Sequence, residues 1–167
     1  MSHKTIIIFS LWTSVWSAIF NLAYTMICPG FGVAWVMFVC LAIFFALGAG
    51  PKMVFPCICS ALAGMAWGQV DFLLMDLFGA MGLPEAAVSL LSVALGTFLA
   101  MYLHIKWLAK TPFNVVPFIF AGVCLTFSQG GGNIIGLGAT FIIGLVLCGL
   151  CGACQVYCME KFPLEEK

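Results

Sequence analysis

The 167-residue sequence has very little charge and no arginine. Six lysines, two aspartates and four glutamates make up 7% of the chain, whereas a soluble domain is about one quarter charged. This composition excludes a soluble globular domain, a disordered segment and a nucleic-acid-binding protein. The sequence also lacks a phosphate-binding glycine loop, a paired-histidine zinc motif and a nucleophile elbow. We therefore expect a protein that is not an enzyme and has no cofactor.

Hydrophobic residues account for 64% of the chain, and the mean hydropathy is +1.20. They form six long apolar segments, and a helix needs about 20 apolar residues to cross a bilayer. The sequence therefore predicts an all-α integral membrane protein, a single transmembrane domain over residues 1–167. The predicted spans are 5–27, 31–47, 53–70, 86–103, 115–128 and 134–157.

The lysines predict the orientation of these spans. With six crossings, every lysine falls on one side of the membrane, and the three loops on the other side contain none. Because lysine-rich loops face the cytoplasm, both termini are predicted to be cytoplasmic. The lysines are Lys4, Lys52, Lys106, Lys110, Lys161 and Lys167.

An internal repeat appears when the chain is compared with itself at a shift of 82 positions. Both segments run from a phenylalanine through a second phenylalanine into a glycine-rich exit. Because each repeat has three crossings, the second copy enters the membrane from the side opposite to the first. We therefore predict an inverted repeat, with one half at about 5–78 and the other at about 86–158. The matched pairs are Phe38 with Phe120, Phe45 with Phe127, Gly48 with Gly130, and Gly50 with Gly132.

The second and fifth segments are the shortest, and prolines and glycines border both of them. A matched pair of short, interrupted helices points to a transport site, although the glycines could equally make tight turns and allow close packing. We predict a pore or substrate path at Phe38, Phe45, Phe120, Thr126, Phe127, Ser128 and Gln129, and helix breaks at Gly48, Gly50, Gly130 and Gly132.

No charged residue is predicted in the middle of a span. Asp71 and Asp76 are expected to be solvated charges in the outward loop after the third span. Trp67 and His104 are expected to anchor helix ends at the membrane interface, with a pH gate as the alternative for His104. Ion- and proton-coupled transporters usually keep an ionisable residue within a span, so its absence argues against proton coupling and against a charged substrate. Sodium coupling through carbonyl and hydroxyl groups stays open.

These features favour a passive channel for a small uncharged polar solute, with aromatic rings lining a pore between the two repeats. The alternative is an ion-coupled secondary transporter or exporter that acts as an oligomer. The expected partners are the lipid bilayer, a small neutral solute and further copies of the chain.

Four cysteines near the C-terminus have the spacing of an iron–sulfur cluster motif. They lie in a continuous apolar span, where a helix would spread the sulfur atoms along about 15 Å. We therefore expect packing residues and no metal site at Cys148, Cys151, Cys154 and Cys158.

The segment PFIFAGVCLTFSQG at 117–130 resembles a family of small bacterial inner-membrane proteins that carries a domain-of-unknown-function label. Phe118 stands where that family has glycine. The resemblance implies a multi-pass protein of a bacterial inner membrane, and it implies little about chemistry. A related segment in the first half matches at Trp35, Phe38, Phe44, Phe45 and Ala46.

Overall fold

A computed structural model describes residues 1–28, 30 and 32–163. Phe31, where the second span was predicted to begin, lies outside these residues, as do Pro29 and the tail lysine Lys167. The described residues form helices and no strands, which confirms the all-α prediction. The helices are α1 (His3–Ile27), α2 (Val36–Ala46), α3 (Val54–Ala80), α4 (Glu85–Tyr102), α5 (Val116–Ser128) and α6 (Ile134–Lys161).

Two short turns extend these helices. A 3-10 turn at Pro51–Met53 leads into α3, and a π-helical turn at Leu103–Trp107 continues α4. Ser2 caps the N-terminus of α1, because its hydroxyl oxygen accepts a hydrogen bond from the Thr5 amide at 3.2 Å.

Four helical segments are long and apolar enough to cross a membrane, as expected for a multi-pass membrane protein. The other two helices, α2 and α5, have 11 and 13 residues. At 1.5 Å per residue they measure about 16 and 20 Å, less than the roughly 30 Å of a bilayer core. The prediction that the second and fifth segments are the shortest is confirmed.

The two short helices end in the same backbone conformation. Each is followed by a glycine with positive φ, Gly48 at 60° and Gly130 at 59°. Glycine adopts this conformation without the strain that a side chain would cause. The next amide in each case donates to a helical carbonyl five residues earlier, from Ala49 to Phe44 at 3.0 Å and from Gly131 to Thr126 at 3.1 Å.

Helix boundaries recur at the repeat distance found in the sequence. α1 begins at His3 and α4 begins 82 residues later at Glu85. α2 ends at Ala46 and α5 ends 82 residues later at Ser128. The order of a long, a short and a long helix therefore occurs twice in the chain.

The chain divides into two compact units. The first contains Met1–Val54 and Ala139–Lys167, hence α1, α2 and most of α6. The second contains Phe55–Gly138, hence α3, α4, α5 and the start of α6. Each unit thus combines the first two helices of one sequence half with most of the third helix of the other half.

In the first unit, α1 and α6 are antiparallel. Thr5, near the start of α1, donates a hydrogen bond to the Cys158 carbonyl oxygen near the end of α6, at 3.2 Å. Tyr24, near the end of α1, is hydrogen-bonded to Thr140 near the start of α6. The N-terminus of α1 and the C-terminus of α6 therefore lie at the same end of this pair.

The short helix α2 packs against glycines of α6. A Cβ atom placed on Gly144 would lie 3.0 Å from the Met37 Cα atom, and one on Gly152 would lie 3.3 Å from the Phe44 ring. The residue numbers of α2 and α6 therefore increase in the same direction, so these two helices are parallel. Because α1 is antiparallel to α6, it is also antiparallel to α2.

In the second unit, α3 and α5 make backbone contact. A Cβ atom on Gly64 would lie 2.0 Å from the Ile119 carbonyl oxygen, and one on Gly122 would lie 2.3 Å from the Ala61 carbonyl oxygen. Only glycine allows two helices to approach this closely. This contact between glycine faces lies within a single chain.

Candidate functional site

The third helix extends well beyond its predicted end. We predicted a span ending at residue 70 and a loop carrying Asp71 and Asp76, but α3 continues to Ala80. The prediction was wrong because residues 72–80 are mostly leucine, phenylalanine and methionine, and two isolated carboxylates do not end so apolar a helix. The connection to α4 is only residues 81–84.

Asp71 is buried within this helix, with 3% of its surface exposed, whereas Asp76 is exposed. The side chain of Asp71 packs against the backbone of α4. A Cβ atom placed on Gly96 would lie only 1.7 Å from Asp71 Oδ1, so only glycine at this position leaves room for the carboxyl group.

Two buried side-chain oxygens of this unit have no hydrogen-bond partner among the described residues. They are Asp71 Oδ1 and Ser92 Oγ. Ser92 lies four residues before Gly96, one turn along the same face of α4, and its side chain is fully buried. Buried polar atoms are nearly always paired, so two orphaned oxygens on facing helices mark an exceptional place in the fold.

A neighbouring part of α3 contacts the glycine-rich turn after α5. The Gln69 side chain donates a hydrogen bond to the Gly131 carbonyl oxygen at 2.9 Å. The Phe72 ring stacks on Phe127, with 4.8 Å between the ring centroids. Residues 69–72 of α3 therefore contain the buried carboxyl group and also contact the turn after α5 and the ring of Phe127. We call these four residues the α3 polar segment.

Of the residues predicted to line a substrate path, those at the end of α5 mostly form hydrogen bonds within their own helix. Thr126 is buried and donates to the Gly122 carbonyl oxygen of its own helix at 2.8 Å. Ser128 likewise donates to the Leu125 carbonyl oxygen, and the Gln129 amide approaches Ser128 Oγ at 3.4 Å. Among these residues, Phe127 contacts the α3 polar segment through Phe72.

The other predicted aromatic residues do not form a cluster within either unit. Phe45, in the first unit, packs edge-to-face against Phe9 with 5.3 Å between centroids. Phe38 of the first unit and Phe120 of the second are 46% and 36% exposed. Of the predicted break glycines, Gly48 and Gly130 have positive φ, while Gly50 and Gly132 follow them in the turns.

A family described as "Protein of unknown function (DUF1097)" matches residues 7–163 of the chain. The chain belongs to the DUF1097 family. The match confirms the expectation of a family that carries a domain-of-unknown-function label. No curated protein and no solved structure matches the chain.

Asp71 and Ser92 of this DUF1097 protein, whose buried side-chain oxygens have no hydrogen-bond partner among the described residues, were not predicted from the sequence as site residues. The sequence predicts Asp71 in a loop, and Ser92 is not among the predicted site residues. A usable signal was present on α4, where the small residues Ser92, Gly96 and Ala100 recur every four positions and are all buried. Such a face permits close approach of another helix.

His104 lies in the π-helical turn and is 2% exposed, so its prediction as an interface anchor was wrong. The Trp67 indole N–H donates to His104 Nε2 at 3.0 Å, and His104 Nδ1 is bonded to the Phe113 carbonyl oxygen. Because Nε2 accepts, Nδ1 carries the proton and donates, which defines a neutral imidazole. Trp67 is also not at a helix end, since it lies midway along α3.

Replacing Trp67 with phenylalanine should lower the free energy of unfolding by about 1–3 kcal/mol, because it leaves His104 Nε2 buried without a donor. Thermal unfolding in detergent measures the change. Trp107→Phe is the matched control, because Trp107 is 71% exposed. Equal shifts in the two variants would contradict a specific role for the Trp67–His104 bond.

The cysteines of the predicted cluster motif lie in the continuous helix α6. Cys154 Sγ and Cys158 Sγ are 3.8 Å apart. Within the part of the chain that the structure describes, no three histidine, cysteine or acidic side chains come together as metal ligands.

Proposed function

We propose that the protein is a secondary transporter of a bacterial inner membrane that carries a small uncharged polar solute and couples its movement to a cation at Asp71. The observation that carries this proposal is the burial of Asp71 within α3, part of a candidate membrane-spanning segment. Acidic residues inside membrane helices are costly and mark ion or proton pathways in pumps and transporters.

The structure thus favours an ion-coupled transporter over the passive channel that the sequence favours. The passive channel is favoured by the inverted repeat, by the paired short spans with aromatic residues and by spans without charge, and the burial of Asp71 removes the last of these three grounds. Asp71 is also the only acidic residue or lysine buried among the described residues. If it holds the coupling cation, no second buried charge is available to pair with a charged solute, which favours an uncharged one.

An inverted repeat of two three-helix halves is part of the proposal. The recurrence of helix boundaries at 82 residues supports it, as do the matching hydrogen bonds that end α2 and α5. A further parallel is packing, because Met37 of α2 lies at Gly144 of α6, and Ile119 of α5 lies at Gly64 of α3. Inverted repeats with paired interrupted helices are characteristic of transporters.

We also propose six crossings with both termini in the cytoplasm. In the first unit, α2 is antiparallel to α1, the direction expected of a second crossing. The non-helical residues before α2 would then supply the length that the helix lacks. If α2 and α5 returned without crossing, Lys52 would face outward, against the bias of lysine toward the cytoplasm.

Labelling of the native lysines tests this topology. A membrane-impermeant amine reagent should modify no lysine in intact cells, apart from background, and all of them in inverted vesicles. With only four crossings, Lys52, Lys106 and Lys110 would react in intact cells while Lys4 and Lys161 stayed protected. Mass spectrometry of peptides distinguishes the two patterns.

A homo-oligomer completes the proposal. Large apolar side chains on α1 are exposed, including Leu11, Val15 and Leu22. They suit lipid or a second copy of the chain. The mass of the purified protein in nanodiscs, measured by light scattering, tests this part.

Reconstituted vesicles test the transport proposal directly. Uptake of urea, formamide and glycerol would be measured with and without imposed pH and sodium gradients, against protein-free vesicles. We expect saturable uptake of at least one solute that accumulates above its external concentration when a cation gradient is present. Entry that never exceeds equilibrium under any gradient would refute cation coupling.

A passive facilitator is the second candidate, and the turn after α5 favours it. This turn ends a helix beside the stacked rings of Phe72 and Phe127, with Gln69 bonded to Gly131. Such a group of rings, amides and carbonyls could select a small neutral solute. Rapid, non-saturating entry without any gradient would establish this function instead.

A further inference from the structure

We infer that the cation bound at Asp71 is a proton, and that this proton holds α3 against α4. The inference rests on the proposed transport function, and it names both the coupled ion and the movement that its release requires. It is carried by the contact of Asp71 with Gly96 and by the two orphaned oxygens at Asp71 and Ser92.

The size of the site favours a proton over a metal ion. Cations such as Mg²⁺ and Ca²⁺ bind six or more oxygen ligands. Asp71 Oδ1 instead packs directly on the α4 backbone at Gly96, and the buried residues of α4 include one hydroxyl side chain, Ser92. A proton needs a single acceptor oxygen and no cavity.

Because Asp71 is buried, only its neutral carboxyl group is compatible with packing against Gly96. An ionised carboxylate without a partner is very costly in an apolar environment, and the cost is relieved by neutralisation or by exposure to water. The protonated acid can remain in contact with Gly96. The ionised form requires water at Asp71, so α4 has to move away from α3 when the proton leaves.

No other titratable group of the second unit is bonded to Asp71 among the described residues. The face of α4 opposite Asp71 carries Gly96 and Ser92, which do not titrate near neutral pH. His104, two turns further along, is bonded to Trp67, and Lys106 donates to the Tyr102 hydroxyl at 2.6 Å. The exposed charges of the unit are Asp76, Glu85, Lys106 and Lys110.

Dicyclohexylcarbodiimide provides a test with the full-length protein in membranes. The reagent adds to protonated carboxyl groups, and the adduct rearranges to a stable acylurea only where water is excluded. We expect labelling of Asp71 at acidic pH, at least about tenfold above that of Asp76, which is exposed on the same helix. Labelling of Asp71 should fall as the pH rises.

An infrared measurement covers the case in which the reagent does not reach the site. The spectrum of the wild type minus that of Asp71→Asn should show the carbonyl stretch of a protonated carboxylic acid. A carboxylate band in its place at acidic and neutral pH would overturn the inference. Loss of Asp71 labelling on addition of sodium at constant pH would also overturn it, because it would identify a metal cation as the ligand.

The movement of α4 has a separate readout in Ser92→Cys. Thiolate formation accelerates the alkylation of any thiol as the pH is raised, so the readout is the rate at Ser92→Cys relative to the rate at a native cysteine. This ratio should rise at least about tenfold as the pH is raised, and the rise should be absent when Asp71→Asn is added. The native Cys57, also buried in the second unit, serves as the internal reference. Alkylation that is equally fast with and without Asp71 would refute the coupled movement.

The two proposals fail in different ways. If Asp71 is protonated and Ser92→Cys responds to pH, but no solute is transported, the proton site stands and the transport function is lost. If solute uptake is coupled to a cation while Asp71 stays ionised, the transporter stands and this inference is lost.

Discussion

Gly64→Ala or Gly122→Ala should destabilise the protein by about 3 kcal/mol, at the upper end of the range for overpacking. The added methyl carbon would lie 2.0 Å from the Ile119 carbonyl oxygen in one variant and 2.3 Å from that of Ala61 in the other. Both obstacles are backbone atoms, which cannot rotate away as a side chain could. Thermal unfolding of the detergent-solubilised protein should therefore show a clear fall in the melting temperature.

Gly79→Ala is the matched control. Gly79 lies on the same helix as Gly64, and no atom lies within 4 Å of the position of its added Cβ. Alanine should be neutral there or stabilise the helix by about 0.5–1 kcal/mol. A melting temperature that falls equally in Gly79→Ala and Gly64→Ala would show that the α3–α5 contact is not the cause.

Asp71→Asn should abolish gradient-driven accumulation of the transported solute while preserving the fold. A pH gradient of one unit supports roughly tenfold accumulation at one-to-one coupling, and this factor should fall to one in the variant. Asparagine has nearly the shape of the protonated aspartate, so the contact with Gly96 can persist without a titratable group. Uptake into reconstituted vesicles measures the loss.

Asp76→Asn removes an equal charge from the same helix and provides the control. Because Asp76 is exposed, its replacement should leave accumulation at the wild-type level. Equal loss in both variants would indicate a general effect of charge on α3, and undiminished accumulation in Asp71→Asn would exclude Asp71 as the coupling residue.

Much of the secondary structure was accessible from the sequence because apolar runs and their breaks are local. The fifth span was predicted at 115–128 and α5 occupies Val116–Ser128, while the fourth was predicted at 86–103 and α4 occupies Glu85–Tyr102. Glycines with positive φ mark the ends of α2 and α5, at two of the predicted break positions.

The candidate site was less accessible because it depends on which helices face each other. A one-dimensional pattern treats Asp71 as the end of an apolar run, and only the packing of α4 shows that it is buried. In the same way, His104 beside Lys106 and Trp107 has the composition of a helix end at the interface. Its bond to Trp67 joins residues far apart in sequence.

Hydropathy and glycine breaks act locally along the chain, so the sequence alone predicts a helical protein with several apolar helices long enough to cross a membrane and with two short helices. The fold was needed to show that each sequence half packs most of its third helix into the other compact unit, and that Gly96 makes room for a buried carboxyl group. The physical reason is that burial is a property of two surfaces in contact, and the second surface lies elsewhere in the chain.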